Sequence, residues 1–166
     1  MTARPAALDR ETRKIVNAWN EWDPLKHVIV GRATGSMLQA PEPAVRRDFP
    51  EDGFPHPTYG PLPAEMTAKA DEQLDNFAAI LEKRGIQVDR PVPLDFSQAV
   101  STPDWVQGSM FGCMPPRDVL LTVGNEILEA TMSLRSRWYE YLCYRPLLEK
   151  YFKEDASFRW EAAPKP

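Results

Sequence analysis

Between Lys26 and Val88 the apolar residues change their period twice, and that change limits the fold class more than any other feature of the chain. Lys26-His27-Val28-Ile29-Val30-Gly31 is a β-branched run bounded by Pro24 and Gly31, the pattern of a buried strand. From Ala64 to Arg84, Met66, Ala70, Leu74, Phe77 and Leu81 recur at three- and four-residue steps and place one apolar stripe on a helix. Gly85 supplies the C-terminal stop, and Ile86-Gln87-Val88 reads as a short strand before Pro91 and Pro93 break the pattern. Strand, helix and strand in one unit predict an α/β fold.

The 166 residues suffice for one domain, residues 1–166, and are too few for two well-cored ones. Seventeen prolines, about twice ordinary usage, must punctuate loops. Seven of them (Pro41, Pro43, Pro50, Pro55, Pro57, Pro61 and Pro63) fall in residues 40–63, where no period of two or 3.6 is sustained. This stretch is expected to be a long irregular loop, either a functional cover or a disordered insert. Residues 1–16 read as a short lead that can stay disordered, and Asp23-Pro24 favours a turn into the first strand.

Downstream, Val119–Val123 and Ile127–Ala130 flank Gly124-Asn125-Glu126, and a Gly-Asn turn between apolar runs predicts a hairpin. Ser133 can then cap a helix whose buried stripe is Leu134, Trp138, Tyr141, Leu142, Leu148 and Phe152, with Pro146 kinking or restarting it. The close at Ala162-Ala163-Pro164-Lys165-Pro166, straight after Phe158 and Trp160, is expected to interrupt a longer chain.

Twenty Lys and Arg against 24 Asp and Glu give a net charge of -4, with the two signs interspersed, so no basic face for nucleic acid is implied. The longest apolar runs, such as Val28–Val30 and Val119–Leu121, are far short of the roughly 20 residues of a membrane span. Met1–Arg13 has no apolar core of a secretory signal. Cys113 and Cys143 form no CxxC and no metal-ligand spacing, so a cytoplasmic chain with free thiols, no metal and no cofactor is the expectation.

The chemistry-bearing residues are few. His27, at the mouth of a strand, reads as a packed or hydrogen-bonded residue, and His56, in Phe54-Pro55-His56-Pro57, as an exposed loop residue. Neither belongs to a metal-binding spacing. Cys143, mid-helix, reads as a small buried hydrophobe. Cys113, in Gly112-Cys113-Met114-Pro115-Pro116, can be an accessible loop thiol, although a nucleophile there would still need a base or a positive field. Asp118 stands where Pro115-Pro116-Arg117 meets the hairpin strand, a place where a carboxylate can hold a planar guanidinium through two parallel bonds. From spacing alone, a turn aspartate bonding its own backbone, or a partner for Arg117 or Arg135, is the readier reading.

These segments, taken together, carry a resemblance. Asn20-Glu21-Trp22-Asp23-Pro24-Leu25, Val28-Ile29-Val30-Gly31-Arg32, Pro116-Arg117-Asp118-Val119-Leu120, Val123-Gly124-Asn125-Glu126-Ile127, Arg135-Ser136-Arg137 and Ala163-Pro164-Lys165-Pro166 resemble, in order over nearly the whole chain, the amidinotransferase family. That family includes the glycine amidinotransferases and relatives in secondary-metabolite pathways. The segment Met114–Asp118 holds one residue more than the family pattern.

The resemblance implies the pentein fold, a pseudo-fivefold α/β propeller, of which this chain would hold the first modules. It implies transfer of the amidino group of L-arginine to an acceptor amine through a cysteine-bound intermediate, with a histidine as acid and base and no cofactor. By residue-for-residue match, Asp118 takes the place of the family aspartate that binds the donor's guanidino group. The family's cysteine, histidine and catalytic acid follow the Ala-Pro-Lys-Pro segment, so Cys113, Cys143, His27 and His56 inherit no role and the chain alone is expected to be inactive. The implied partners are L-arginine and an amine, with no nucleic acid and no membrane, and homodimerisation is left open. Two rivals remain, a guanidine hydrolase of the arginine deiminase type and a non-catalytic remnant or binding module of the same fold.

Overall fold

A computed structural model describes residues 14–48 and 59–164. His56, most of the lead, residues 49–58 of the proline-rich stretch and the last two residues lie outside the described residues. In chain order the elements are β1 (His27–Ile29), β2 (Met37–Leu38), α1 (Pro43–Asp48), β3 (Gly60–Pro61), α2 (Ala64–Glu82), β4 (Gln87–Asp89), β5 (Val100–Ser101) and β6 (Val106–Gln107). There follow α3 (Pro116–Val119), β7 (Leu120–Val123), β8 (Glu126–Glu129), two 3-10 turns at Arg135–Arg137 and Glu140–Cys143, α4 (Arg145–Glu154) and β9 (Arg159–Ala162). The result is a mixed α/β arrangement of small sheets: β1 parallel to β4, the antiparallel pairs β2–β3 and β5–β6, and a three-stranded sheet β7-β8-β9.

The strand, helix, strand reading holds. β1 and β4 pair in parallel with Val28 opposite Val88, and α2 connects them. α2 ends as the Gly85 signal predicts: Gly85 sits at φ +79°, and Ile86 N donates back to Leu81 O at 3.2 Å. Its buried face differs from the predicted stripe. Ala78 and Leu81 are buried, whereas Met66 is 57% exposed and Phe77 51%. The reason is that α2 docks partly through carboxylates on the same face. Asp71 accepts Ala33 N at 2.7 Å and Thr34 Oγ1 at 2.6 Å, and Asp75 pairs with Arg90 at 2.6 Å. These contacts rotate the outer apolar residues away from the narrow two-stranded sheet.

Two further expectations are corrected. The stretch 40–63 is not irregular throughout, because Pro43–Asp48 forms α1, with proline tolerated in its first turn. Nor does one helix run from Ser133. Ser133 makes no side-chain cap, and 3-10 turns precede α4, where Pro146 stands in the first turn and so restarts a helix. The interruption has a visible cause: the carbonyl of Ser136, which an α-helix would bond to residue 140, accepts Phe111 N at 3.1 Å instead. Of the predicted stripe, Tyr141 and Leu148 are buried and Phe152 is half exposed.

The hairpin forms as read. Val123 opposite Glu126 leaves Gly124-Asn125 as a two-residue loop with Gly124 at φ +60°, the first loop position where a type II′ turn prefers glycine. The core lies where this sheet meets α4 and the 3-10 turns, around Phe96, Cys113, Val119, Cys143, Tyr144, Leu148 and Phe158. Val16 joins it, and Ile15 N donates to Asp155 Oδ2 at 2.7 Å, so the last residues of the lead are docked.

Candidate functional site

The site is built on α3, a four-residue helix opened by Pro115 and Pro116 and anchored by buried Val119. Asp118, one residue earlier, turns outward with its side chain 38% exposed. Its partner is neither its own backbone nor Arg117 or Arg135, the alternatives open from sequence. Its Oδ2 accepts Arg137 Nη1 at 2.9 Å. Among the described residues no protein donor reaches its Oδ1.

Arg137 is held on its other edge by Glu140, with Nε 2.6 Å from Oε2 and Nη2 3.1 Å from Oε1, a bidentate grip. The guanidinium carbon lies 5.5 Å from the centre of the Phe111 ring. Burial works against the charge of Arg137, but the hydrogen bonds and negative charges of Glu140 and Asp118 outweigh it and raise its pKa. Burial raises Glu140 above the ordinary carboxylate range, Arg137 offsets part of that, and Asp118 adds to it. When ionised, the two carboxylates and one guanidinium carry a net negative charge, and Oδ1 belongs to a side chain that is 38% exposed. Such a cluster can accept one more planar cation.

The Arg135–Arg137 turn that carries this guanidinium is set by a residue far away in sequence. Glu42, 2% exposed just before α1, accepts Arg135 N at 2.5 Å and Ser136 Oγ at 2.9 Å.

The other candidates lie elsewhere. Cys113 is not an accessible loop thiol but is completely buried, its Sγ directed to Arg32 O at 3.6 Å. Its segment packs so closely on the backbone that follows β1 that a Cβ at Gly31 would fall 1.8 Å from Met114 O. Cys143 is equally buried, as read from sequence, and its thiol is held well up as hydrogen-bond partner of Cys113 and by desolvation. Neither sulfur has a path to a substrate. His27 is a hydrogen-bonded residue, as expected: its Nε2 lies 2.8 Å from Asp89 Oδ2, which also accepts Tyr151 Oη–H at 2.6 Å. Burial alone would raise Asp89, yet the bonds from Tyr151 and His27 and the nearby charges of His27 and Lys150 bring it below the usual range.

No family model matches the chain. The mitochondrial glycine amidinotransferase of Danio rerio is 43% identical over 154 residues, which are 91% of this chain and 36% of that protein. Inosamine-phosphate amidinotransferase 1 of Streptomyces griseus is 40% identical over 158 residues, 92% of this chain and 44% of that protein. The solved structure of SxtG, an amidinotransferase of the saxitoxin biosynthetic pathway of Microseira wollei, superposes with a TM-score of 0.78 at 46% identity, covering 91% of this chain and 42% of that one. The chain belongs to the amidinotransferase family.

The chain spans between 36% and 44% of the length of these curated relatives. Its sequence singles out Asp118 but marks no role for Arg137, Glu140 or Glu42. The Arg-Ser-Arg motif was a signal for the first. The others are ordinary glutamates whose importance comes from burial.

Proposed function

We propose that this chain is the donor-binding part of an amidinotransferase that moves the amidino group of L-arginine to an acceptor amine. Asp118 grips the guanidinium of the donor through Oδ1, presenting the guanidino carbon to a cysteine thiolate supplied by the family's downstream segment. The thiolate adds to that carbon, the bond from it to the donor's Nε breaks, and that nitrogen takes up a proton as ornithine leaves. The acceptor amine then attacks the amidino group on sulfur, loses a proton and releases the thiolate, so one difficult displacement becomes two easier ones. A histidine of the same segment carries the protons. In this reading the chain is the first modules of the pentein propeller, has a cytoplasmic location, admits a homodimer and is inactive without the nucleophile.

The observation that supports the reading is Asp118 Oδ1, without a donor among the described residues, beside a guanidinium that Asp118 shares with Glu140, in a chain whose relatives are named as amidinotransferases. Calorimetric titration with L-arginine tests it: binding that disappears in Asp118→Ala supports the donor site, and equal binding by the variant, or none by the unaltered chain, counts against it. For the reaction, product analysis is made on the polypeptide that carries the downstream segment. Ornithine and an amidinated amine are expected, citrulline would show the hydrolase, and no turnover would show the non-catalytic remnant.

A further inference from the structure

We propose that Glu42 is a positioning residue for the guanidinium site: its buried carboxylate holds the Arg135–Arg137 turn so that Arg137 meets Asp118. The assignment of that site as the donor site rests on the reading above. The placement of Arg137 by Glu42 stands on geometry alone.

Glu42 is 2% exposed and lies 94 residues from Ser136 in sequence. Its Oε2 accepts Arg135 N at 2.5 Å, and its Oε1 accepts both Ser136 N at 3.3 Å and Ser136 Oγ at 2.9 Å. All these donors are neutral, so the contact is not an ion pair that could slide along a charged side chain. It is a directional clamp on two successive backbone amides. A carboxylate taken from water is strongly disfavoured unless its oxygens are bonded, and here the bonds that satisfy it fix the turn.

The clamp acts on a segment already gripped from its other side. Ser136 O accepts Phe111 N at 3.1 Å, and the Phe111 ring lies against the Arg137 guanidinium. Glu42 is itself immobilised. Ala40 N donates to buried Ser109 Oγ at 3.2 Å, Gln107 Nε2 donates to Ala40 O at 2.8 Å, and Arg46 N closes the first turn of α1 on Glu42 O at 3.0 Å. The backbone entering Arg137 is therefore positioned by the start of the proline-rich stretch. Short charge-assisted bonds such as Arg137 to Asp118 and Glu140 tolerate little displacement of that backbone.

Glu42→Gln preserves volume but replaces one acceptor oxygen by an NH2 group, which can only point donors at a donor. The test is nuclear magnetic resonance of the full chain labelled with nitrogen-15, in which Arg137 Nε–H, bonded to buried Glu140, gives an exchange-protected signal assigned by its loss in Arg137→Lys. In a folded Glu42→Gln this signal is expected to shift and to exchange about tenfold faster or more, as for loss of roughly one hydrogen bond. A lowered melting temperature with the signal and its exchange unchanged would show a purely structural role and overturn the proposal. If Glu42→Gln does not fold, Ser136→Ala removes one of the bonds. The same signal must then move, and an unmoved one overturns the proposal. L-arginine affinity is measured in parallel: indifference to Asp118→Ala defeats the donor-site reading, while the Arg137 signal still decides the role of Glu42.

Discussion

Arg137 Nη1 stands 2.9 Å from Asp118 Oδ2, and the same guanidinium is gripped on its other edge by a glutamate whose side chain is 1% exposed. One cation thus links an outward carboxylate to an inward one, and the two ends should respond differently to substitution.

Removing the cation leaves Glu140 buried without its partner. Arg137→Met is expected to lower stability by about 3–5 kcal/mol, the usual cost of orphaning a buried charge, whereas Asp118→Ala, at an exposed carboxylate, should cost about 1 kcal/mol or less. Urea denaturation of the two variants checks the order, and equal losses would contradict the distinction.

Acid should weaken the fold through Asp89 and Asp155. Burial opposes the charge of Asp155, but bonds from Ser157, Ile15 and Val16 bring it, like Asp89, below the ordinary carboxylate value. A depressed folded pKa means the unfolded chain binds protons first. The stabilisation is complete above the unfolded value of about 4 and is lost as pH falls through the folded values. Urea midpoints measured downward from pH 6 should therefore hold or rise slightly as Glu140, whose pKa is raised by burial, takes up its proton, and then drop below about pH 4, with a shallower drop in Asp155→Asn. The same slope in the variant would exclude Asp155 as a contributor.

Cys113 and Cys143 should both resist alkylation by iodoacetamide in the native protein and both react in urea, because each is completely buried. Mass spectrometry of the two samples reads this directly. Rapid native modification of Cys113 would contradict its placement.

Gly31→Ala is expected to cost about 4 kcal/mol or more, at the severe end of single substitutions, since its Cβ would fall 1.8 Å from Met114 O and the obstacle is backbone. Gly108→Ala is the control, with its nearest neighbour an alanine methyl at 3.4 Å. Thermal melting should separate them widely, and similar melting temperatures would show that the 113–114 segment yields easily.

The amino-acid order alone was enough for the features that depend on local periodicity and on φ: the strand at Val28, the helix from Ala64 halted at Gly85, and the hairpin around Gly124. The order of short motifs was likewise enough to reach the family. Tertiary contact decided the rest. The choice of Arg137 over Arg117 and Arg135, the burial of Cys113, the outward turn of Phe77 and the breaking of the helix after Ser133 all depend on partners far along the chain. Glu42 and Ser136, 94 residues apart, show why. A hydrogen bond across that separation leaves no periodicity in either segment, and a glutamate reads as a surface residue until the fold surrounds it with donors.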